Sequence, residues 1–387
     1  MTLVGQAGNL FMLAPQEESG VIYLGGAFSA VRGVGRTMAA CVAKDVNNPM
    51  PELLAWNPSG AGGTWVLTMA LSGNDLYIGG TFTTMSGVTR NRAACVDSDP
   101  SQANPTLRPW NPDCSSGVRV IHLNGPDMYM GGDFTSIRGD ARRRAACVAS
   151  DSAMAAPTLR AWHPNCNAGV FVFVLSFGAV TMYMGGDFTM VGGVTRNKAA
   201  AVNGNPSLAN PSLRAWNPNC EGGHVRAMLL TGADMYIGGN FTTVRGVSRN
   251  RAACVDSDTS QANPTLRAWN PNCDAQVNDM AHSGSNMYLV GFFTAVRGTA
   301  RNHAACVDSN PAAANPALRA WNPDCSSWIQ RVILDSSDIY IIGAFSTVQT
   351  ISRPRAACIA SDVNMAVPTL RAWNPQCNNN ALAIILA

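Results

Sequence analysis

One unit written seven times constrains this chain more than any motif in it. The tyrosine of phrases such as MYIGG recurs at Tyr23, Tyr77, Tyr129, Tyr183, Tyr236, Tyr288 and Tyr340. A tryptophan keeps the same step at Trp56, Trp110, Trp162, Trp216, Trp269, Trp321 and Trp373. Phe28, Phe82, Phe134, Phe188, Phe241, Phe293 and Phe345 each follow a tyrosine, and Arg36, Arg90, Arg142, Arg196, Arg249, Arg301 and Arg353 each follow a phenylalanine. Self-similarity at a period of about 50 residues marks stacked or radial units, so the 387 residues read as one domain, 1–387. Its copies span roughly 15–60, 61–114, 115–166, 167–220, 221–273, 274–325 and 326–377.

Each copy contains four short apolar runs. In the second they are Trp65 to Leu71, Leu76 to Phe82, Arg92 to Val96 and Thr106 to Trp110. None reaches helical length, and turn residues bound most of them, so strands are predicted. The Gly-Gly of YIGG falls at a strand end, where a bulge or close backbone approach needs it. Four strands in each of seven copies predict an all-β, seven-bladed β-propeller with four-stranded blades. The first copy lacks an apolar inner strand, since Glu17, Glu18 and Ser19 stand in its place, while ALAIILA at 381–387 ends the chain. Segment 378–387 is therefore expected to close the ring in blade one. The strand-like GNLFMLAP, Gly8 to Pro15, then leaves 1–14 as a spare arm, suited to an edge or to donation into another subunit.

GGDFTSIRGDARRRAACV (Gly131 to Val148) and GGNFTTVRGVSRNRAACVDSD (Gly238 to Asp258), each followed by Trp-Asn-Pro or Trp-His-Pro, resemble the delta-60 repeat β-propeller family. The resemblance runs from Val21 to Cys377. It implies a propeller of large surface or secreted proteins, usually without a defined catalytic activity.

Twelve cysteines occupy two positions of the unit. Cys41, Cys95, Cys147, Cys254, Cys306 and Cys358 lie in AAC phrases, and Cys114, Cys166, Cys220, Cys273, Cys325 and Cys377 follow the tryptophans. Such regularity reads as a disulfide framework in an oxidising, extracellular setting. Pairing within a copy joins 95 with 114, 147 with 166, 254 with 273, 306 with 325 and 358 with 377. Cys41 and Cys220 are then left over, three blades apart, as candidates for an intersubunit bond that propagates head to tail. Pairing to the next copy joins 114 with 147, 220 with 254, 273 with 306, 325 with 358 and 377 with 41, and leaves Cys95 and Cys166.

Several chemistries find no support. The histidines His122, His163, His224, His282 and His303 occupy non-equivalent positions, so no metal site is expected, and no cofactor is implied. Aspartate loops such as VDSDPSQAN lack the glycine and closing glutamate of a calcium loop. A net charge of +3 spread along the chain gives no basic patch for nucleic acid, and no run is long enough to span a membrane. The N-terminus lacks a positive n-region, so export is expected after loss of a leader or by another route. No nucleophile elbow or phosphate loop appears, so no catalytic residue is assigned. The recurring arginines are expected to bond carbonyls, the recurring tryptophans to pack blades, and the off-pattern Trp65 and Trp328 to be exposed. Asn240-Phe241-Thr242 matches a glycosylation acceptor inside a strand phrase.

Charged residues are only 13% of the chain, which weakly defends a surface against self-association. The resulting expectation is a non-enzymatic extracellular structural protein that polymerises with copies of itself through Cys41, Cys220 and strand donation by 1–14 or 381–387. The alternative expectation is a monomeric surface module whose ring face or pore binds a glycan or a surface protein.

Overall fold

The computed structural model describes residues 20–176 and 181–387, and the described residues form strands and turns with no helix. The expected N-terminal strand at 8–15 lies outside them. Seven antiparallel three-stranded sheets carry the fold. Six are built in chain order: Val66–Ser72, Asp75–Gly80 and Ala93–Asp97; Val118–Asn124, Asp127–Gly132 and Ala145–Ala149; Val170–Leu175, Thr181–Gly186 and Ala199–Asn203; Val225–Thr231, Asp234–Gly239 and Ala252–Asp256; Val277–Ser283, Asn286–Gly291 and Ala304–Asp308; Ile329–Asp335, Asp338–Gly343 and Ala356–Ala360. The seventh joins both ends of the chain, because Ala381–Leu386 pairs with Val21–Gly26, which pairs with Ala39–Ala43.

The first strands of successive sheets pack side by side, and Ala381–Leu386 touches both Val66–Ser72 and Ile329–Asp335. A two-residue turn connects the first and second strands in most copies. Gly73 supplies its positive φ of 55° in one copy, and Ser336, at 54°, adopts the same conformation in another. The expected fourth strand shrinks to single bridges such as Val96↔Leu107 and Val255↔Leu266. Prolines bracket that segment, as Pro105 and Pro109 do around Leu107, and proline cannot donate to a ladder.

The recurring aromatics hold one sheet to the next. Tyr23 and Trp56 meet edge to face at 5.1 Å, and the Trp56 indole donates to the Asp97 carbonyl of the following sheet at 2.8 Å. The Tyr23 hydroxyl donates to the neighbouring Ser98 carbonyl. The same indole bond recurs around the chain, ending with Trp373 to Ala43 at 3.0 Å. Six tyrosine hydroxyls reach the next sheet in this way, whereas Tyr340 lies against Cys358. Each edge-to-face pair and each bond contributes on the order of 1 kcal/mol beyond area burial, so repetition makes the intersheet joints strong. The seven arginines bond carbonyls, as expected: Arg90 Nη2 donates to Arg108 O at 3.0 Å and Arg36 Nη2 to Leu54 O at 2.9 Å.

The cysteines depart from expectation. All twelve are buried free thiols. Each AAC cysteine faces a tyrosine across the sheet, as Cys95 faces Tyr77 and Cys147 faces Tyr129. The later cysteine sits elsewhere, bridged to the hairpin of the next copy, as Cys114 is to Ile137 and Cys377 to Val31. The pairs 95 and 114, 147 and 166, 254 and 273, 306 and 325, and 358 and 377 thus share intersheet cores without a bond. They serve as small apolar side chains, and Ala201 takes the same place opposite Tyr183. Cys41 and Cys220 are each 0% exposed, so a bond between subunits cannot reach them without opening the core.

Candidate functional site

The last glycine of each second strand, preceded by another glycine in five of the seven, shapes the site. A Cβ on Gly80 would lie 2.1 Å from the Trp65 carbonyl oxygen, and one on Gly79 would lie 2.7 Å from Thr68. Only glycine lets the first strand press this closely, and there that strand bulges between Val66 and Thr68. The bulge recurs in every sheet and frees one residue from the ladder: Leu67, Arg119, Phe171, Arg226, Asn278, Gln330 and Leu382. The scaffold repeats, but the freed side chains differ.

These residues gather at one end of the packed first strands, with two further sets beside them. Trp65, Gly117, Gly169, His224, Gln276, Trp328 and Asn380 precede each first strand, and Ala27, Thr81, Asp133, Asp187, Asn240, Phe292 and Ala344 follow each second strand. Contacts run along this rim. A Cβ on Gly117 would lie 3.5 Å from Thr81 and 3.6 Å from Asp133, and one on Gly169 would lie 2.9 Å from Asp133 and 2.7 Å from Phe171. The Phe171 ring meets His224 edge to face at 5.6 Å.

Charge concentrates around Phe171. The guanidinium groups of Arg119 and Arg226 lie over its ring, 5.1 and 5.2 Å from the centroid. Arg119 is paired with Asp133 at 2.7 Å. Arg226 is half-buried, forms no ion pair among the described residues, and donates through Nε to Nε2 of His224 at 3.1 Å. Burial, then the like charges of Arg119 and Arg331, push the Arg226 guanidinium down to about 10, so it remains charged at neutral pH. Burial and the Arg226 charge push the His224 imidazole down to about 4, which keeps it neutral. Asp187 is exposed on the rim, 3.7 Å from Lys198.

A buried polar layer backs the rim. Gln276 donates to Asn278 at 2.5 Å, Asn278 donates to the Ile329 carbonyl at 2.8 Å, and the Val332 N–H donates to Asp279 Oδ2 at 3.1 Å. Asp279 Oδ1 lies 3.9 Å from Arg331 and accepts no hydrogen bond. Burial outweighs that cation and the N–H bonds, so the Asp279 carboxyl rises to about 6.

Of the residues singled out in the sequence, Trp65 and Trp328 reach the rim. Trp65 is 44% exposed, and half-buried Trp328 stacks on Phe292 with centroids 5.2 Å apart and planes at 24°. The cysteines do not approach it. Asn240 is on the rim, but its side-chain oxygen takes the His224 N–H at 2.5 Å. Among the described residues no group of three or more His, Cys, Asp or Glu is placed to hold a metal. Arg119, Phe171, His224, Arg226, Asp279 and Phe292 were missed as site residues. Their signal was that they stand at positions where no single residue type is kept through all seven copies.

No protein-family model matches the chain, and no curated protein matches it. Solved structures do. A protein from Bacteroides uniformis ATCC 8492 described as a "putative 6-phosphogluconolactonase" aligns at a TM-score of 0.61 and 9% identity, covering 95% of this chain and 99% of its own. A second with that description, from Bacteroides fragilis NCTC 9343, aligns at 0.57 and 8%, covering 97% and 100%. At such identity the likeness shows the fold, which is all-β and propeller-like. The reading as a non-enzymatic, self-polymerising subunit is overturned. It rested on Cys41 and Cys220, which are sealed in the core, and the structures of like fold carry an enzyme's description.

Proposed function

We propose that the chain is a seven-bladed propeller closed by its C-terminal strand, and that the mouth of its axis is a hydrolytic site for the lactone of a sugar acid. Closure is supported by Ala381–Leu386 pairing with Val21–Gly26 and by the Trp373 indole bond to Ala43. The bridges at Leu53, Leu107 and their equivalents stand for a short fourth strand in each blade. The unit is taken as a delta-60-type repeat, supported by its recurring Gly-Gly-x-Phe phrase and carbonyl-bound arginine.

One observation carries the functional reading: Arg226 is half-buried near the like charges of Arg119 and Arg331, and although Asp187 and Asp133 lie near enough to act on it, it forms no direct ion pair among the described residues. A partly desolvated cation with no carboxylate in direct contact is suited to an incoming anion. In lactone hydrolysis water adds to the carbonyl carbon and the carbonyl oxygen becomes an oxyanion, which Arg119 and Arg226 stabilise. Asp187 takes the proton from water. The ring C–O bond then breaks, the leaving alkoxide takes that proton from Asp187, and the acid product releases its own proton to solvent. The description of the fold neighbours supplies the first substrate to try, 6-phosphogluconolactone.

The test is acid release from 6-phosphogluconolactone in a pH-stat. Acceleration over buffer is expected, with losses of about 100-fold or more in Arg226→Met and Asp187→Asn. A rate equal to that of buffer overturns the reading.

A further inference from the structure

The mouth has two unlike sides. The third, fourth and fifth blades contribute Arg119, Asp133, Phe171, Asp187, His224 and Arg226. The sixth, seventh, first and second contribute Phe292, Trp328, Leu382, Trp65 and Leu67, with no charged residue in any of the three rim sets on that side.

The aromatic side is a departure from the repeat. The seven recurring tryptophans are fully buried and lock neighbouring sheets together. Trp65 and Trp328 are left partly exposed, and among the described residues the one intersheet ring contact between them and the rest of the rim is the Trp328–Phe292 stack. They stand at one equivalent position, where other copies have Gly117, Gly169, His224, Gln276 or Asn380. Phe292 is 41% exposed at a position otherwise held by Ala27, Thr81, Asp133, Asp187, Asn240 and Ala344. Three large aromatic side chains at two rim positions of the repeat are each left partly in water, and no other copy needs an aromatic at either position. Exposed apolar surface continuous with a polar site is where a ligand is covered.

We infer that this side is a second subsite, which takes the ring of an additional sugar, so that the substrate is the lactone of an oligosaccharide acid rather than of a single sugar. The inference rests on the reading of the mouth as an anion-handling site. A pyranose presents a face of C–H groups that lies on an indole and an edge of hydroxyls that needs polar partners. Asn380, Thr81 and Gln330 interleave with the aromatics on the rim and provide such partners. The acid end then lies toward Arg119 and Arg226, and the next ring lies on Trp65 or on the Trp328–Phe292 stack.

Calorimetric titration of the whole protein tests this with gluconate, lactobionate and 6-phosphogluconate. Gluconate and lactobionate share the carboxylate and differ by one galactose ring. Lactobionate is expected to bind about 10-fold more tightly than gluconate, the gain of one stacked ring. In Trp65→Ala and Trp328→Ala that advantage falls while gluconate affinity holds, and Arg226→Met weakens both ligands. Unchanged melting temperatures show that the truncated, exposed tryptophans left the fold intact. If 6-phosphogluconate binds but lactobionate is no tighter than gluconate, the second subsite is overturned and the anion site stands. If no anion binds, the reading of the mouth and this inference fall together.

Discussion

Arg226 donates from Nε to Nε2 of His224 across 3.1 Å, so the imidazole accepts there and carries its proton on Nδ1. Protonating His224 would set two donors against each other in a partly buried place. Its depressed pKa follows from that placement, with burial first and the Arg226 charge second. In an NMR titration the His224 ring should stay neutral to near pH 4, where an unperturbed imidazole titrates near about 6.5. Arg226→Met should raise the midpoint without restoring the ordinary value, because burial remains. A wild-type midpoint at the ordinary value would refute the assigned geometry.

His122 has no part in the rim, yet its burial is expected to contribute to acid stability. It faces Tyr129 on a first strand, and burial pushes its imidazole down to about 4. The unfolded chain takes up a proton near pH 6.5 and the folded chain does not, so stability present above that pH is lost as pH falls toward 4. The full loss is about 3 kcal/mol. Val174 holds the equivalent place opposite Tyr183. His122→Val should therefore unfold in urea with a flatter pH dependence between 6.5 and 4, and an unchanged slope would contradict the burial argument.

Thiol chemistry separates a framework of bonds from a set of packed side chains. With burial pushing Cys41 and Cys220 up to about 12, neither is nucleophilic near neutral pH, and the other ten are likewise sealed. Alkylation of native protein purified without reductant should modify none of the twelve within minutes, and after denaturation all of them. Electrophoresis without reductant should show one monomer band. Fewer modified thiols in the denatured sample would reveal bonds.

The joint between the two ends of the chain should be as strong as any other. Trp373 donates to Ala43 at 3.0 Å, as Trp216 donates to Asp256 at 2.7 Å within the run of the chain. Trp373→Phe and Trp216→Phe each lose one hydrogen bond and some volume, a cost of about 1–3 kcal/mol. Equal shifts in urea midpoint are expected. A negligible effect at Trp373 would count against the proposal that this joint closes a ring.

What was legible in the sequence was what recurs. Tyr23, Trp56, Phe28 and Arg36 with their equivalents gave the unit, and ALAIILA found its partner strand, because those positions are set by packing that every sheet needs. Recurrence also misled. Cysteines at one spacing resemble a bonded framework, yet the position opposite each tyrosine asks only for a small apolar side chain, as Ala201 shows. The site was hard to see because it occupies the bulge, whose residue is free of the ladder and therefore differs from copy to copy. Leu67, Arg119, Phe171 and Asn278 share a place and no chemistry. Trp65 and Trp328 stood out in sequence because a second tryptophan in a copy breaks the pattern.

Gly169 tests how the rim is assembled. Five of its six equivalents carry a large or amide side chain, Trp65, His224, Gln276, Trp328 and Asn380, so the backbone there tolerates one. At Gly169 the space belongs to others: an added Cβ would come within 2.7 Å of Phe171 Cε1 and 2.9 Å of Asp133 Oδ1. The strand is far from strained, and the methyl group would displace side chains rather than the sheet. Gly169→Ala should therefore keep its melting temperature within a few degrees while Phe171 tilts away and Asp133 loses its alignment on Arg119. Both arginines lean on that ring, so affinity for 6-phosphogluconate should fall about 10-fold by calorimetry, a loss of about 1.4 kcal/mol. Gly117→Ala is the control, because its Cβ would have 3.5 Å of clearance from Thr81 and should change nothing. If Gly169→Ala binds as the wild type does, the seating of Arg119 and Arg226 over Phe171 is not what makes the anion site.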